Sequence, residues 1–376
     1  MIHFIHMKNK IASTHMPSKK VLDVLNGFSD KERSDLLGDH TQQVLLQKIL
    51  LDIGSTILKI KKLSLKMPSG LTLSELLITI GFFSAIWEGD EDILEIGPHL
   101  GSSTWAIAQG ILENTNLQSN TRIYTFDKFK DYAIPDKLMR TMDIPKEIIN
   151  RYIKSKDFKE IFDFFHSNEV YADRIIAEKS SLPDTLEQID ELNNLFSFPK
   201  DKKLSAVFVD GCKSWHGTKY FFMEIIEQLS SGAHIICQDY AHYTCFWVPV
   251  FLELFKDHFQ LITYVDNTYI FKYIKPLPRQ HIIDTYPNTP KDFSLSTIID
   301  IFTNLILDSH IRKDSYGYFK QHLQLCAIFA YIEEIDYAKN TMKAIKNSIP
   351  FQFYIHEINA AEKSITYYPC KKSINI

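Results

Sequence analysis

The sequence predicts an α/β protein, a doubly wound and mostly parallel sheet with N-terminal helices and a C-terminal helical appendage. Three observations predict it. An apolar strand, Ile93–Ile96, runs into the glycine-spaced turn Gly97-Pro-His-Leu-Gly101, which opens a helix. Short apolar runs alternate with helical stretches as far as Tyr273, as strands joined by crossover helices require. Three acidic residues, Asp127, Asp210 and Asp239, each close a predicted strand, and sheets of this kind bind ligands at the carboxyl ends of their strands.

Residues 1–20 mix Lys and His with short apolar pieces and read as a flexible tail. Over 21–70 the apolar positions fall at helical intervals, first Val21, Val24 and Leu25, then Val44, Leu45, Ile49 and Leu50, which predicts two helices ending at Pro68-Ser-Gly70. The α/β domain spans 71–275. A helix from Thr72 to about Trp87 leads through an acidic turn to the first strand, Ile93–Ile96, whose helix runs from Thr104 to Leu112. The second strand, Arg122–Phe126, ends at Asp127. The stretch 128–170 is too long for a simple connection and contains helical pieces at Lys146–Tyr152 and Phe158–Phe165, so it is an insertion. Arg174–Ala177, Ala206–Val209 and His234–Cys237 are the third to fifth strands, and Phe259–Tyr273 alternates like a final pair around Asp266-Asn267. Prolines bracket a linker at 276–292. Residues 293–376 are helical again, at Ser296–Leu307, Ser315–Ile332, Asp336–Ile345 and Phe351–Ser364.

Composition excludes several classes. Among 376 residues, 42 Lys and Arg nearly balance 46 Asp and Glu, and the net charge of -4 gives no electrostatic case for nucleic acid or an anionic membrane. No apolar run approaches the roughly 20 residues of a membrane span, and the N-terminus lacks a secretory core, so a cytoplasmic location is expected. The five cysteines, at 212, 237, 245, 326 and 370, show no C-x-x-C spacing, which argues against a disulfide framework or a structural zinc.

The turn after the first strand carries the chemistry. Gly97 and Gly101 allow a tight bend and close approach of backbone to a ligand, while Ser102, Ser103 and Thr104 are placed to cap a helix from Trp105 onward. The spacing is G-x-x-x-G, not the G-x-G-x-x-G of dinucleotide sites. Glu95 lies inside the strand, where its carboxylate can accept from a cationic or hydroxylated ligand. Asp127, Asp210 and Asp239 are expected to face the same crevice.

Taken in order, Glu95-Ile-Gly-Pro-His-Leu-Gly101, Asp127, Val209-Asp-Gly-Cys-Lys-Ser-Trp-His-Gly217 and Gly232-Ala-His-Ile-Ile-Cys-Gln-Asp-Tyr240 resemble a class I S-adenosylmethionine-dependent methyltransferase, of the macrocin O-methyltransferase type in the last two motifs. The resemblance covers about 71–273 and implies a Rossmann-like methyltransferase fold. It implies that Gly97, Gly101, Ser103 and Glu95 serve the methionine end of the cofactor, that Asp127 accepts from the ribose hydroxyls, and that Glu178, Lys179 and Ser180 are the candidates beside adenine. It places Asp210, Lys213 and His216 in the catalytic loop, and Trp215, Tyr240 and His242 beside the acceptor.

This chain departs from the family where Lys213 replaces the usual His and Trp215 the usual Tyr. Lysine acts as a base only with a lowered pKa and otherwise as an orienting cation, so the base stays open. Magnesium-dependent relatives hold the ion at the positions of Asp210 and Asp239, helped by an acidic neighbour that is Gln238 here. The expectation is that Asp239 hydrogen-bonds substrate or loop backbone, with Mg2+ on Asp210 and Asp239 as the alternative. Tyr243 and Trp247 are read as either pocket-lining or packing, His99 as touching cofactor or facing solvent, and Cys212 and Cys245 as structural thiols.

The expected activity is methyl transfer from S-adenosylmethionine to a hydroxyl, in preference to an amine, of a small polar or glycosylated acceptor. The helical flanks are the expected surface for a homo-oligomer. Two alternatives are a non-methylating reaction on the same fold, such as hydroxylation, and a non-catalytic binding protein working through those flanks.

Overall fold

The structure is a computed structural model and describes residues 40–60, 67–130, 134 and 143–366. The tail expected over 1–20 and the helix expected around Val21–Leu25 lie outside the described residues. The chain divides into two compact units, one of Met1–Ile93, Pro98–Thr125 and Phe129–Ile176, the other of Leu94–Gly97, Phe126–Lys128 and Ala177–Ile376.

In the first unit, α1 (His40–Ile60) packs on α2 (Leu73–Ala85), which packs in turn on α3 (Ser102–Leu112). Sandwiched between two helices, α2 buries Ile78, Ile80, Phe82 and Phe83 completely, and each such side chain contributes roughly 1.5–3 kcal/mol. Its start is fixed by a capping box, in which Thr72 accepts from the Glu75 amide and Glu75 accepts from the Thr72 amide. The insertion supplies α4 (Lys146–Ser155) and α5 (Lys159–His166), held by edge-to-face contacts of Phe129 with Phe158 and Phe162.

The strands are β1 (Asp92–Ile96), β2 (Ile123–Asp127), β3 (Ile175–Lys179), β4 (Leu204–Val209), β5 (Leu229–Cys237), β6 (Phe259–Val265) and β7 (Thr268–Tyr273). They form one mostly parallel, seven-stranded sheet in the order β3-β2-β1-β4-β5-β7-β6. β4 and β5 run parallel, with Val209 opposite Cys237, and β7 is antiparallel to both β5 and β6. The β6–β7 turn falls at Asp266, whose φ of 50° a short polar residue tolerates.

The second unit continues with α6 (Gln188–Glu191), α7 (Trp215–Ile225), α8 (Trp247–Leu254), α9 (Arg279–Thr285), α10 (Leu295–Ile311), α11 (Ser315–Tyr331), α12 (Ile335–Asn347) and α13 (Ile355–Thr366). Phe222 of α7 stacks on Phe251 of α8, with ring centroids 4.0 Å apart.

Three expectations change. The helix after the glycine turn starts at Ser102, capped by Gly101 in the left-handed region with no side-chain cap, so Ser102, Ser103 and Thr104 are buried first-turn residues and not caps. β3 runs to Lys179, which puts Glu178 and Lys179 on the strand with exposed side chains and leaves Ser180 as the turn residue. The stretch 276–292 contains α9 and a 3-10 turn at Pro290–Asp292, and its Tyr286 is fully buried.

Candidate active site

Hydrogen bonds tie together the carboxyl ends of five neighbouring strands. The Ser180 amide donates to Asp127 O (2.9 Å), Gly97 to Phe126 O (2.8 Å), Asp210 to Ile96 O (2.9 Å) and Gln238 to Val209 O (3.0 Å). Residues that follow the ladder on β3, β2, β1, β4 and β5 therefore emerge on one rim. Glu95, Asp127, Ser180, Asp210 and Asp239 all belong to it, in the second unit.

Gly97 adopts φ +86°, and a Cβ there would stand 2.6 Å from the Gly211 amide. The glycine thus lets the β1 turn lie against the loop that carries Asp210, where a side chain would push the two apart. Asp210-Gly-Cys-Lys213 then folds back through a Lys213 N–H to Gly211 carbonyl bond of 2.9 Å, and Ser214 caps α7 by accepting from the Gly217 amide at 3.0 Å. Asp239, at φ 62°, turns the chain just after β5.

This geometry makes a three-charge cluster. Lys213 Nζ donates to Asp210 Oδ1 at 2.6 Å and to Asp239 Oδ2 at 2.5 Å. Solvent reaches the group, with 40% of the Lys213 side chain and 24% and 22% of the two carboxylates exposed. Burial favours the neutral acid of Asp210; Lys213 opposes this, Asp239 and Glu95 add to it, and the carboxyl is pushed up to about 7. Burial works against charge on Lys213, but the two carboxylates outweigh it and hold the amine well above its ordinary value. Lys213 is therefore a charged ammonium in this cluster and not a free amine. At Asp239 burial favours the acid, but Lys213, His242 and a Gln238 side-chain hydrogen bond keep the carboxyl below its ordinary value.

His216 lies on the first turn of α7, half-buried; burial lowers its pKa, and its charged neighbours are Glu187, Lys219 and Asp184. His242 is half-buried, with Nδ1 3.0 Å from Thr244 Oγ1, and burial lowers its pKa although Asp239 acts to raise it. Trp215 is fully buried, stacked on Tyr286 at 4.1 Å, edge-to-face with Phe293, and with its indole N–H donating to Pro287 O at 2.8 Å, so its ring and its polar tip are both engaged in packing. Tyr240 is buried with its ring centroid 4.4 Å from that of Tyr269, and Trp247 is buried with its N–H on Cys212 O. Both are core residues. Tyr243 is half-buried, with the Lys320 ammonium 5.5 Å from its ring. The thiols of Cys212 and Cys245 are buried and raised by desolvation, Cys245 to about 12, so neither is a reactive thiolate.

In the first unit, Gly101 has φ +93°, and a Cβ added to it would collide with the His166 imidazole and meet Phe162 at 2.8 Å. Its bare face is thus turned to α5 of the insertion. His166 is buried, its Nδ1 3.3 Å from the Tyr171 hydroxyl, and burial lowers its pKa to about 4. His99 is half-buried against Phe158, not solvent-facing, and burial lowers it to about 4 as well. Ser103 is 2% exposed within α3.

Sequence reasoning missed Gln324. The Gln324 side-chain amide donates to the carbonyls of Tyr240 (2.8 Å) and His242 (2.9 Å), bracing the loop after Asp239. Separations of 82 and 84 residues leave no local signal for it.

The rim fits a nucleoside cofactor. Ser180 Oγ is buried and finds no hydrogen-bond partner among the described residues, immediately after the strand end that pairs with Asp127. Glu95 presents a carboxylate with no solvent exposure, and Asp127 is half-buried at its strand end. A divalent metal does not fit. Such an ion needs about six oxygen ligands, whereas Lys213 Nζ already bridges Asp210 and Asp239 and Gln238 gives Asp239 a further donor. Among the described residues no group of three or more His, Cys, Asp or Glu could hold a metal ion.

The doubly wound sheet carries acidic residues at the carboxyl ends of β2, β4 and β5, the end at which sheets of this kind bind ligands. The profile of the family described as "Methyltransferase domain" matches residues 94–240, and over that stretch the chain carries a methyltransferase domain. No curated protein matches the sequence. Among solved structures, the chain is similar to CalS11, a TDP-rhamnose 3'-O-methyltransferase of calicheamicin biosynthesis, with 14% identity over 65% of this chain and 95% of that one and a TM-score of 0.38. It is similar to the O-methyltransferase NovP at 14% identity over 62% and 100%, with a TM-score of 0.39. The O-methyltransferase from Bacillus cereus in complex with SAH is 16% identical over 60% and 90%, with a TM-score of 0.31. Among the described residues no helix is long and apolar enough to cross a membrane.

Proposed function

We propose that the protein methylates a hydroxyl oxygen of a small, polar or glycosylated acceptor, with Asp210 as the base. The observation that carries this reading is the Asp210–Lys213–Asp239 cluster at the ends of β4 and β5. When bound, S-adenosylmethionine supplies a methyl carbon made electrophilic by its sulfonium. Asp127 and Ser180 serve the ribose and adenine, and Glu95 the methionine end. Asp210 takes the acceptor's hydroxyl proton as the oxygen forms its bond to the methyl carbon and the sulfur–carbon bond breaks. A carboxyl pushed up to about 7 suits this role, because it is a stronger base than an ordinary carboxylate and still partly ionised near neutral pH. Lys213, fully charged, holds the acceptor oxygen where the new bond forms; alignment of this kind supplies much of the rate in a displacement. The loop around His242 borders the acceptor. An acceptor without formal charge suits a site whose cation is already paired with two carboxylates.

The test is transfer of isotope-labelled methyl from S-adenosylmethionine to a panel of sugar nucleotides, glycosides and phenols, with the methylated atom located by mass spectrometry. Asp210→Asn is expected to bind cofactor normally and turn over at least about 100-fold more slowly. Label on nitrogen, or an active Asp210→Asn protein, contradicts the reading.

A further inference from the structure

We propose that the Lys213 ammonium is the permanent cation of this site, standing between Asp210 and Asp239 where a divalent metal would lie, so that the enzyme turns over without metal. The activity arm of this inference rests on the methyl-transfer reading above; the metal-binding arm does not.

Three features build the arrangement. The ammonium is within hydrogen-bonding distance of both carboxylates, at 2.6 and 2.5 Å. An ammonium has three N–H donors. Two are spent on the aspartates, and the third is left to face an acceptor oxygen as negative charge develops there. The second feature is that backbone on either side fixes the lysine's reach. Lys213 N–H closes a tight turn onto Gly211 O, the next residue caps α7, and Asp239 is held at φ 62° just beyond β5. The third is the lack of help for a metal. Tyr240, the residue after Asp239, is buried against Tyr269, and Gln238 donates to Asp239.

The same ligand pair therefore has two exclusive occupants. Hard divalent ions need oxygen lone pairs at about 2.0–2.6 Å, and an ammonium in the same place repels them. Removing the ammonium should leave two adjacent carboxylates at strand ends with no cation, the minimal anionic pair on which a metal can settle.

The experiment titrates Mn2+ into the full-length protein and follows the free-ion signal by electron paramagnetic resonance, with methyl transfer measured in parallel with and without EDTA. The unaltered protein is expected to leave Mn2+ free and to keep its full rate in EDTA. Lys213→Ala is expected to bind Mn2+, to lose that binding in the double variant with Asp239→Asn, and to turn over roughly 100- to 1,000-fold more slowly in EDTA, the usual loss for a donor that stabilises developing negative charge. Lys213→Arg keeps the cation and is expected to leave Mn2+ free. Mn2+ binding by the unaltered protein that Asp239→Asn abolishes, or turnover stopped by EDTA, would overturn the proposal, and both readings need no variant of Lys213. Failure of Lys213→Ala to bind Mn2+ would overturn it too. If no acceptor is methylated while Mn2+ behaves as expected, the methyl-transfer reading falls and the assignment of Lys213 stands.

Discussion

The side-chain amide of Gln324, on α11, donates at 2.8 Å to the main-chain carbonyl of Tyr240, 84 residues earlier. Its second bond, to the His242 carbonyl at 2.9 Å, makes one buried side chain the brace of the loop that follows β5. The C-terminal helices thereby help to hold the loop that follows β5.

Gln324→Leu removes both donors: the buried Tyr240 carbonyl loses its side-chain partner, while the His242 carbonyl keeps the Cys245 N–H at 3.1 Å. The expected cost is about 1–3 kcal/mol of folding stability, read from urea unfolding. The acceptor KM is expected to rise while cofactor affinity holds. Equal weakening of both would show that the brace acts only on global stability.

Gly101→Ala places a methyl group against His166 and strains a φ of +93°. The protein is expected to lose about 1–3 kcal/mol of stability. Pairing it with His166→Ala relieves the collision but not the backbone strain, so a double-mutant cycle should return a favourable coupling. Strict additivity would remove His166 as the reason for glycine at this position.

Acid should destabilise the protein through histidines that are buried neutral. Burial holds His166 at about 4 and His234 at about 3 in the folded chain, against 6.5 for an unhindered histidine. The unfolded chain therefore binds more protons between these values. The stability these neutral rings contribute is present above pH 6.5 and lost as pH falls toward 4. Urea midpoints should drop across that window, and less steeply in His234→Asn. A flat profile from about pH 7 to about 4.5 would contradict the buried, neutral assignment.

The sheet was readable because each strand is a short apolar run closed by a turn residue, and because three of those closing residues are aspartates. The convergence of Asp127, Asp210 and Asp239 on one rim follows from strand order, which alternating strands and helices already imply. Local competition hid the rest. Gly101 in the left-handed region opens α3, so three serine and threonine residues that look like caps lie inside the helix. Glu178 and Lys179 read as turn residues because they are polar, yet the last residues of an exposed strand segment can be polar without leaving the sheet. Trp215 looked like pocket lining because it sits in the catalytic motif; its partner, Tyr286, lies in a proline-bracketed stretch that reads as a linker. Gln324 was invisible for want of any local pattern.

The account turns on the carboxyl-end rim being the cofactor site, and calorimetric titration of S-adenosylhomocysteine into the protein and its Asp127→Ala variant tests that most directly. Saturable binding that weakens by about 1–3 kcal/mol on loss of the carboxylate is the expected result. Affinity untouched by the substitution, or no binding to the unaltered protein, would contradict it.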